Sequence, residues 1–257
     1  MVNKPTHVQV RGLSFDNLTV AETIDILTTR LENGTQTAVF TPNAEIVQAC
    51  IDDPSLYPIV GAADLLLPDG IGVIKAAKIL GTPLKEKVAG VVVGEKLVEA
   101  MSHTPTHDAS THRLFLLGGK PGVAQIAAEK LTAKYPGLVI AGVHDGYFQK
   151  DGAENEAVLE EIRQSGADVL YVCLGAPTQE KWIHANRAAL PSVTLLLGLG
   201  GSVDVYAGTV KRAPKIFIKL GLEWFYRLCK EPRRIGRMMN LPRFYFGTIL
   251  WKIRGKK

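Results

Sequence analysis

Asp64-Leu65-Leu66-Leu67-Pro68-Asp69-Gly70-Ile71-Gly72 is a short apolar run that stops at a proline and leaves one carboxylate between that proline and a glycine. A buried parallel strand ends in this way at the mouth of an α/β sheet. Proline has no N–H for a central ladder, and the two glycines let the backbone turn tightly into a helix. Open α/β sheets bind ligands outside the carboxyl ends of their strands, so Asp69 is the first candidate functional residue. The competing reading is that Asp69 caps the helix starting near Ile71, since Asp is a favoured N-cap. A second edge of the same kind, Thr41-Pro42-Asn43-Ala44-Glu45, follows the apolar run at 38–41.

Outward from these two edges the chain alternates. Strand-like runs lie at 8–10, 38–41, 64–67, 113–117, 139–143, 168–174 and 193–197. Helical patterns lie at 44–51, 71–80, 94–101, 123–135, 154–164 and 179–189. The alternation predicts an α/β fold, a Rossmann-like, mostly parallel sheet with helices on both faces. Three more glycine-bearing edges follow strands: Leu117-Gly118-Gly119-Lys120-Pro121-Gly122, Leu174-Gly175-Ala176-Pro177-Thr178-Gln179, and Gly198-Leu199-Gly200-Gly201-Ser202. Backbone N–H groups at such turns and at helix N-termini suit a phosphate. Several on one sheet edge predict a nucleotide-sugar or dinucleotide pocket. None is a G-x-G-x-x-G fingerprint or a Walker loop, and no G-x-S-x-G elbow occurs, which argues against a dehydrogenase and a hydrolase.

The 257 residues, 46% apolar with 25 Gly and 14 Pro, exclude a disordered chain and suffice for a large core. Cys50, Cys173 and Cys229 are odd in number and form no C-x-x-C, so reduced, core-packing thiols and a cytosolic setting are expected. The opening Met-Val-Asn-Lys-Pro-Thr-His has no apolar core of the signal-peptide type. No uninterrupted apolar run reaches the roughly 20 residues that cross a bilayer. His103, His107 and His112 cluster in a polar segment that Pro105 keeps from being one helix face, so a solvated loop is expected there and no metal site. His144, beside Asp145-Gly146, is a weaker contact candidate.

Charge divides the chain. Residues 211–257 hold 14 Lys/Arg against 2 Asp/Glu, a balance of +12, while the other 210 hold 16 against 23, a balance of −7. A body of residues 1–210 and an appendage of residues 211–257 are therefore expected, the appendage meeting a polyanion. From Pro214 a helical pattern places Lys215, Lys219, Glu223, Arg227 and Glu231 every four residues, amid Phe217, Trp224, Phe225 and Tyr226. A second run, Phe244 to Trp251, is flanked by Arg243 and Lys252. Basic residues among so much aromatic and aliphatic surface describe an amphipathic helical appendage lying on an anionic membrane, not a nucleic-acid arm.

Taken together and in this order, Thr41-Pro42-Asn43-Ala44-Glu45, Leu67-Pro68-Asp69-Gly70-Ile71-Gly72, Leu174-Gly175-Ala176-Pro177-Thr178-Gln179-Glu180 and Arg212-Ala213-Pro214 resemble the WecG/TagA/CpsF glycosyltransferase family (glycosyltransferase family 26) over nearly the whole chain. The segment Leu222-Glu223-Trp224-Phe225-Tyr226-Arg227-Leu228 is most similar to the TagA branch. The resemblance implies a peripheral enzyme on the inner face of the cell membrane. It would transfer N-acetylmannosamine from its UDP donor to undecaprenyl-diphosphate-linked N-acetylglucosamine, the committed step of wall teichoic acid linkage-unit synthesis.

It further implies that Asp69 is the base, that Thr41, Asn43 and Gln179 line its pocket, and that Arg227 reaches a phosphate. No cofactor and no metal are implied, and a homo-oligomer is left open. Lys87 and Val92 depart from the family's pattern, standing where an Arg and an Asp are usual. Lysine keeps the charge but loses the guanidinium fork. Two alternatives follow: a relative using another UDP-sugar, N-acetylmannosaminuronate or glucose, and a non-catalytic, membrane-recruited nucleotide-sugar-binding protein, which needs no base at position 69.

Overall fold

The computed structural model describes residues 6–103, 112–211, 213–214, 216–217, 222–230, 236 and 239–255, without the side chains of Arg227 and Lys230. The chain opens with an antiparallel hairpin, β1 (His7–Val10) and β2 (Leu13–Asp16). The helix α1 (Val20–Glu32) follows, an element that the strand–helix alternation does not predict. A capping box starts it: the Thr19 hydroxyl accepts from Glu22 N–H at 3.2 Å, and Thr19 N–H donates to the Glu22 carboxylate at 2.8 Å.

Next come β3 (Thr37–Phe40), α2 (Ala44–Asp52), α3 (Leu56–Val60), β4 (Leu65–Leu66), α4 (Ile71–Leu80) and α5 (Gly90–Ser102). The second half runs β5 (Arg113–Gly118), α6 (Val123–Lys134), β6 (Val139–His144), α7 (Gly152–Ser165), β7 (Val169–Cys173) and α8 (Thr178–Asn186). It ends with β8 (Leu195–Gly198) and α9 (Ser202–Tyr206).

β3 to β8 form one sheet in the order β4-β3-β8-β7-β5-β6, and every neighbouring pair is parallel. Side chains leave successive strand positions on opposite faces, which splits the core in two. Phe40, Leu66, Phe115, Leu117, Leu170, Val172 and Leu196 pack under α2, α3, α4, α7 and α8. Val39, Leu65, Leu67, Leu114, Leu116, Tyr171 and Leu197 pack under α1, α5, α6 and α9. The result is the three-layer α/β architecture that the alternation predicts, helices on both faces of a parallel sheet. The hairpin is fastened to it through Asp16, which is buried and accepts the Leu66 N–H at 2.7 Å. Burial pushes that carboxyl above its ordinary range, and the Leu66 bond and His7 at 3.3 Å oppose the shift.

After the body come α10 (Glu223–Lys230) and α11 (Asn240–Ile253). The four-residue charge stripe predicts one continuous helix from Pro214, but Leu222 lies outside any helix and its N–H closes back onto Phe217 O at 2.8 Å. Lys215, Lys219 and Glu231 lie outside the described residues. α11 lies along α2 and α4. Phe244 is 1% exposed and belongs to the core on that face, and Thr248 is fully buried. The Arg11 guanidinium stacks on Trp251 at 4.7 Å, and Arg243 pairs with Asp52 at 2.7 Å. The opposite side of α11 is apolar and exposed: Phe246 63%, Leu250 53% and Ile253 75%.

Candidate active site at the carboxyl edge of the sheet

Because the six strands are parallel, their carboxyl ends share one edge. Phe40 stands opposite both Leu66 and Gly198, Val172 opposite Gly198, and Gly118 opposite Cys173. The segments leaving this edge carry the predicted residues: Thr41 and Asn43 after β3, Asp69 after β4, Gln179 in the first turn of α8, and Gly200 after β8. The strand order also reverses here. β5 connects outward to β6, while its neighbour β7 connects back to β8, a topological switch point of the kind at which open α/β sheets take nucleotide ligands.

Asp69 is held from two sides. Its N–H donates to Pro42 O at 3.3 Å, which joins the β4 edge to the β3 edge. Its Oδ2 accepts the N–H of Gly90, the first residue of α5, at 3.3 Å. α4 starts instead from Gly70, which has φ +83° and gives no side-chain cap. The carboxylate is thus aimed across the edge at the start of α5 and does not cap its own helix. Gly90 is required by proximity: a Cβ there would lie 2.7 Å from Thr41 Oγ1. Thr41, itself buried, donates to Gly198 O at 3.3 Å.

Asn43 caps α2, its Oδ1 accepting from Glu45 and Ile46 N–H at 2.9 and 3.1 Å. Gln179 is 3% exposed; its Oε1 accepts the Gly200 N–H at 2.8 Å and its Nε2 donates to Glu180 Oε1 at 2.9 Å. Lys87 sits in the loop before α5, where the next residue, Val88, donates to Pro68 O at 2.9 Å, so the lysine adjoins the Asp69 turn. Its Nζ lies 3.4 Å from Glu223 Oε2, which brings α10 to the same place. Arg227 lies on α10, one helical turn beyond Glu223, and its side chain falls outside the described residues. Val92 sits in the first turn of α5.

Glu180 was not among the residues picked out from the sequence. It is wholly buried, its Oε2 has no hydrogen-bond partner among the described residues, and burial pushes its carboxyl up to about 7. Cys50 on α2 is pushed up to about 11 by burial, with the Glu180 charge adding. The available signal was a Glu in the first turn of a helix whose next inward residues, Trp182 and Ile183, are core. Elsewhere, His103 closes α5 and its ring binds Glu99 O, His107 lies outside the described residues, and His144 packs edge-on against Phe148. Among the described residues, no group of three or more His, Cys, Asp or Glu is arranged to hold a metal ion.

A carboxylate, a hydroxyl, two carboxamides and a lysine along the carboxyl edge of a parallel sheet are groups suited to a polar, phosphate-bearing ligand. Residues 8–257 match the glycosyl transferase WecG/TagA/CpsF family, and the chain belongs to that family of glycosyltransferases. Among similar proteins, the N-acetylglucosaminyldiphosphoundecaprenol N-acetyl-beta-D-mannosaminyltransferase of Bacillus subtilis (strain 168) is 36% identical over 219 residues, 85% of this chain and 81% of its own. The protein of that name from Bacillus spizizenii is 37% identical over 222 residues, 86% and 82%. The one from Staphylococcus aureus (strain MW2) is 32% identical over 252 residues, 97% and 95%. No helix among the described residues is long and apolar enough to cross a membrane.

Proposed function

We propose that this protein transfers N-acetylmannosamine from its UDP donor to polyprenyl-diphosphate-linked N-acetylglucosamine, with inversion and with Asp69 as the general base. The acceptor hydroxyl oxygen attacks the anomeric carbon, its proton passes to the Asp69 carboxylate, and the bond to UDP breaks. The observation that carries the reading is the convergence at one edge of Asp69, Lys87 and α10, tied by Val88 N–H to Pro68 O and by Lys87 to Glu223. The names of the relatives at 32–37% identity support the choice of sugar and acceptor.

Charge on the departing UDP is met by Lys87, by Arg227 and by the backbone N–H groups of the glycine-bearing turns. From the Asp69 strand to the point between β7 and β5 is three to four strand spacings, about 14–19 Å, room for a sugar at one end and a nucleotide at the other. Residues 211–257 form the appendage that rests on the anionic inner face of the cell membrane. Phe246, Leu250 and Ile253 face the lipid, and Arg243, Lys252 and Arg254 flank them. The lipid-linked acceptor is thereby met at the surface where it resides.

The test is a panel of radiolabelled UDP-sugars offered with a short-chain polyprenyl-diphosphate-GlcNAc acceptor. Transfer from UDP-N-acetylmannosamine alone is the expected result. Transfer from UDP-glucose or the uronic acid donor instead reassigns the sugar, and no transfer at all refutes the reading.

A further inference from the structure

We propose that Glu180 is a positioning residue: its carboxyl group orients the Gln179 carboxamide so that Gln179 Oε1 faces the Gly200 N–H, which fixes the turn after β8 beside Thr41. The functional part of this inference rests on the reading of the carboxyl edge as the transfer site. The chain of contacts is continuous. Glu180 Oε1 accepts Gln179 Nε2 at 2.9 Å, and Gln179 Oε1 accepts Gly200 N–H at 2.8 Å. A Cβ on Gly198 would lie only 3.1 Å from Gln179 Nε2, and Gly198 O accepts the Thr41 hydroxyl at 3.3 Å. The path runs from α8 across β8 to β3, two residues short of Asn43.

A carboxamide has two ends of nearly the same shape, and its partners alone decide which way round it sits. An acceptor on one side and an N–H on the other admit a single orientation, and Glu180 supplies the acceptor. Holding it there is costly. Glu180 is wholly buried, its Oε2 is unpartnered among the described residues, and burial drives the carboxyl up to about 7. Cys50 faces it from α2, and its chain neighbours Trp182 and Ile183 belong to the core on this face, so an apolar residue of similar volume avoids that cost. The cost falls at a position whose hydrogen-bonded neighbour sets the geometry of the site.

The experiment uses the full chain and two variants, Glu180→Gln, which keeps a carbonyl acceptor, and Glu180→Leu, which keeps bulk and removes it. The amide signal of Gly200 is followed by NMR from pH 5.5 to 8.5, together with kcat/KM for the UDP-sugar donor. In the wild type the Gly200 signal titrates with a midpoint near 7. Cys50, the titratable side chain facing Glu180 from α2, is pushed up to about 11 and stays silent in this window.

Glu180→Gln abolishes the titration and keeps kcat/KM within about threefold, while Glu180→Leu displaces the Gly200 signal and lowers kcat/KM by about tenfold or more. A Gly200 titration that persists in Glu180→Gln overturns the proposal. So does a folded Glu180→Leu protein with wild-type kcat/KM and an unmoved Gly200. If the wild type transfers no sugar, the functional reading falls, while the Gly200 spectra still decide the positioning.

Discussion

Lys87 Nζ and Glu223 Oε2 lie 3.4 Å apart, so the loop beside Asp69 and the first residue of α10 are joined by opposite charges. Both side chains are about three-quarters buried, at 25% and 22% exposure. A double-mutant cycle of Lys87→Ala and Glu223→Ala is expected to show a coupling of about 0.5–1 kcal/mol in denaturant unfolding. The two single variants should part company in kinetics: Lys87→Ala raises KM for the UDP donor, and Glu223→Ala does not. Equal KM in all four proteins would make the pair a fastening only and remove Lys87 from the donor site.

Asp69→Asn is expected to fold and to melt like the wild type, because the carboxamide oxygen still accepts the Gly90 N–H. It loses the proton acceptor, and kcat falls by about 10²–10⁴-fold with KM little changed. Steady-state kinetics with chemistry shown to be rate-limiting checks this. Near-normal turnover would reduce Asp69 to a link between β4 and α5.

The two sides of α11 should separate in experiment. Phe244→Ala empties a core position and is expected to cost about 3–5 kcal/mol of stability. Replacing Phe246, Leu250 and Ile253 together by Ser leaves the melting temperature near wild type but weakens sedimentation with anionic vesicles. Unchanged vesicle binding in the triple variant would place the lipid contact elsewhere.

Glu180 also gives the fold a pH dependence of known sign. The native carboxyl holds its proton up to about 7, whereas the unfolded chain releases it near 4.5. Between those values the native state binds more protons, so this group's contribution to stability falls as pH rises, by roughly 3 kcal/mol at most. Unfolding free energies at pH 5 and pH 8 should show a smaller decline in Glu180→Gln than in the wild type. Parallel profiles would mean that the native carboxyl titrates as it does in the unfolded chain.

The sheet was legible because most of its parallel strands are short apolar runs ended by proline or glycine, as at Leu67-Pro68-Asp69-Gly70, and those endings also mark the functional edge. α1 was missed although Thr19-Val20-Ala21-Glu22 spells a capping box, because its buried residues, Thr23, Leu27 and Leu31, form a sparse stripe easily passed over beside the strands. Charge spacing alone extends the tail helix across Leu222, because it carries no information about the break there. Glu180 stayed hidden for a different reason. Burial of a carboxylate is decided by what packs over it from distant parts of the chain, here α2 and the core of β7 and β8, and no local pattern encodes that.

One consequence of α11 concerns orientation. A helix plugged into the core by Phe244 and Thr248 and stacked under Arg11 cannot roll about its own axis. Whatever surface takes up Phe246, Leu250 and Ile253 therefore acquires a fixed bearing on the whole sheet. Leu241, at the beginning of the same helix, packs where a Cβ on Gly72 would lie 2.8 Å from it, one turn from Asp69. Were the proposed membrane contact made, the helix would serve as a gauge block: its outer side would set the plane of approach, and its first turn how far above that plane the carboxylate stands.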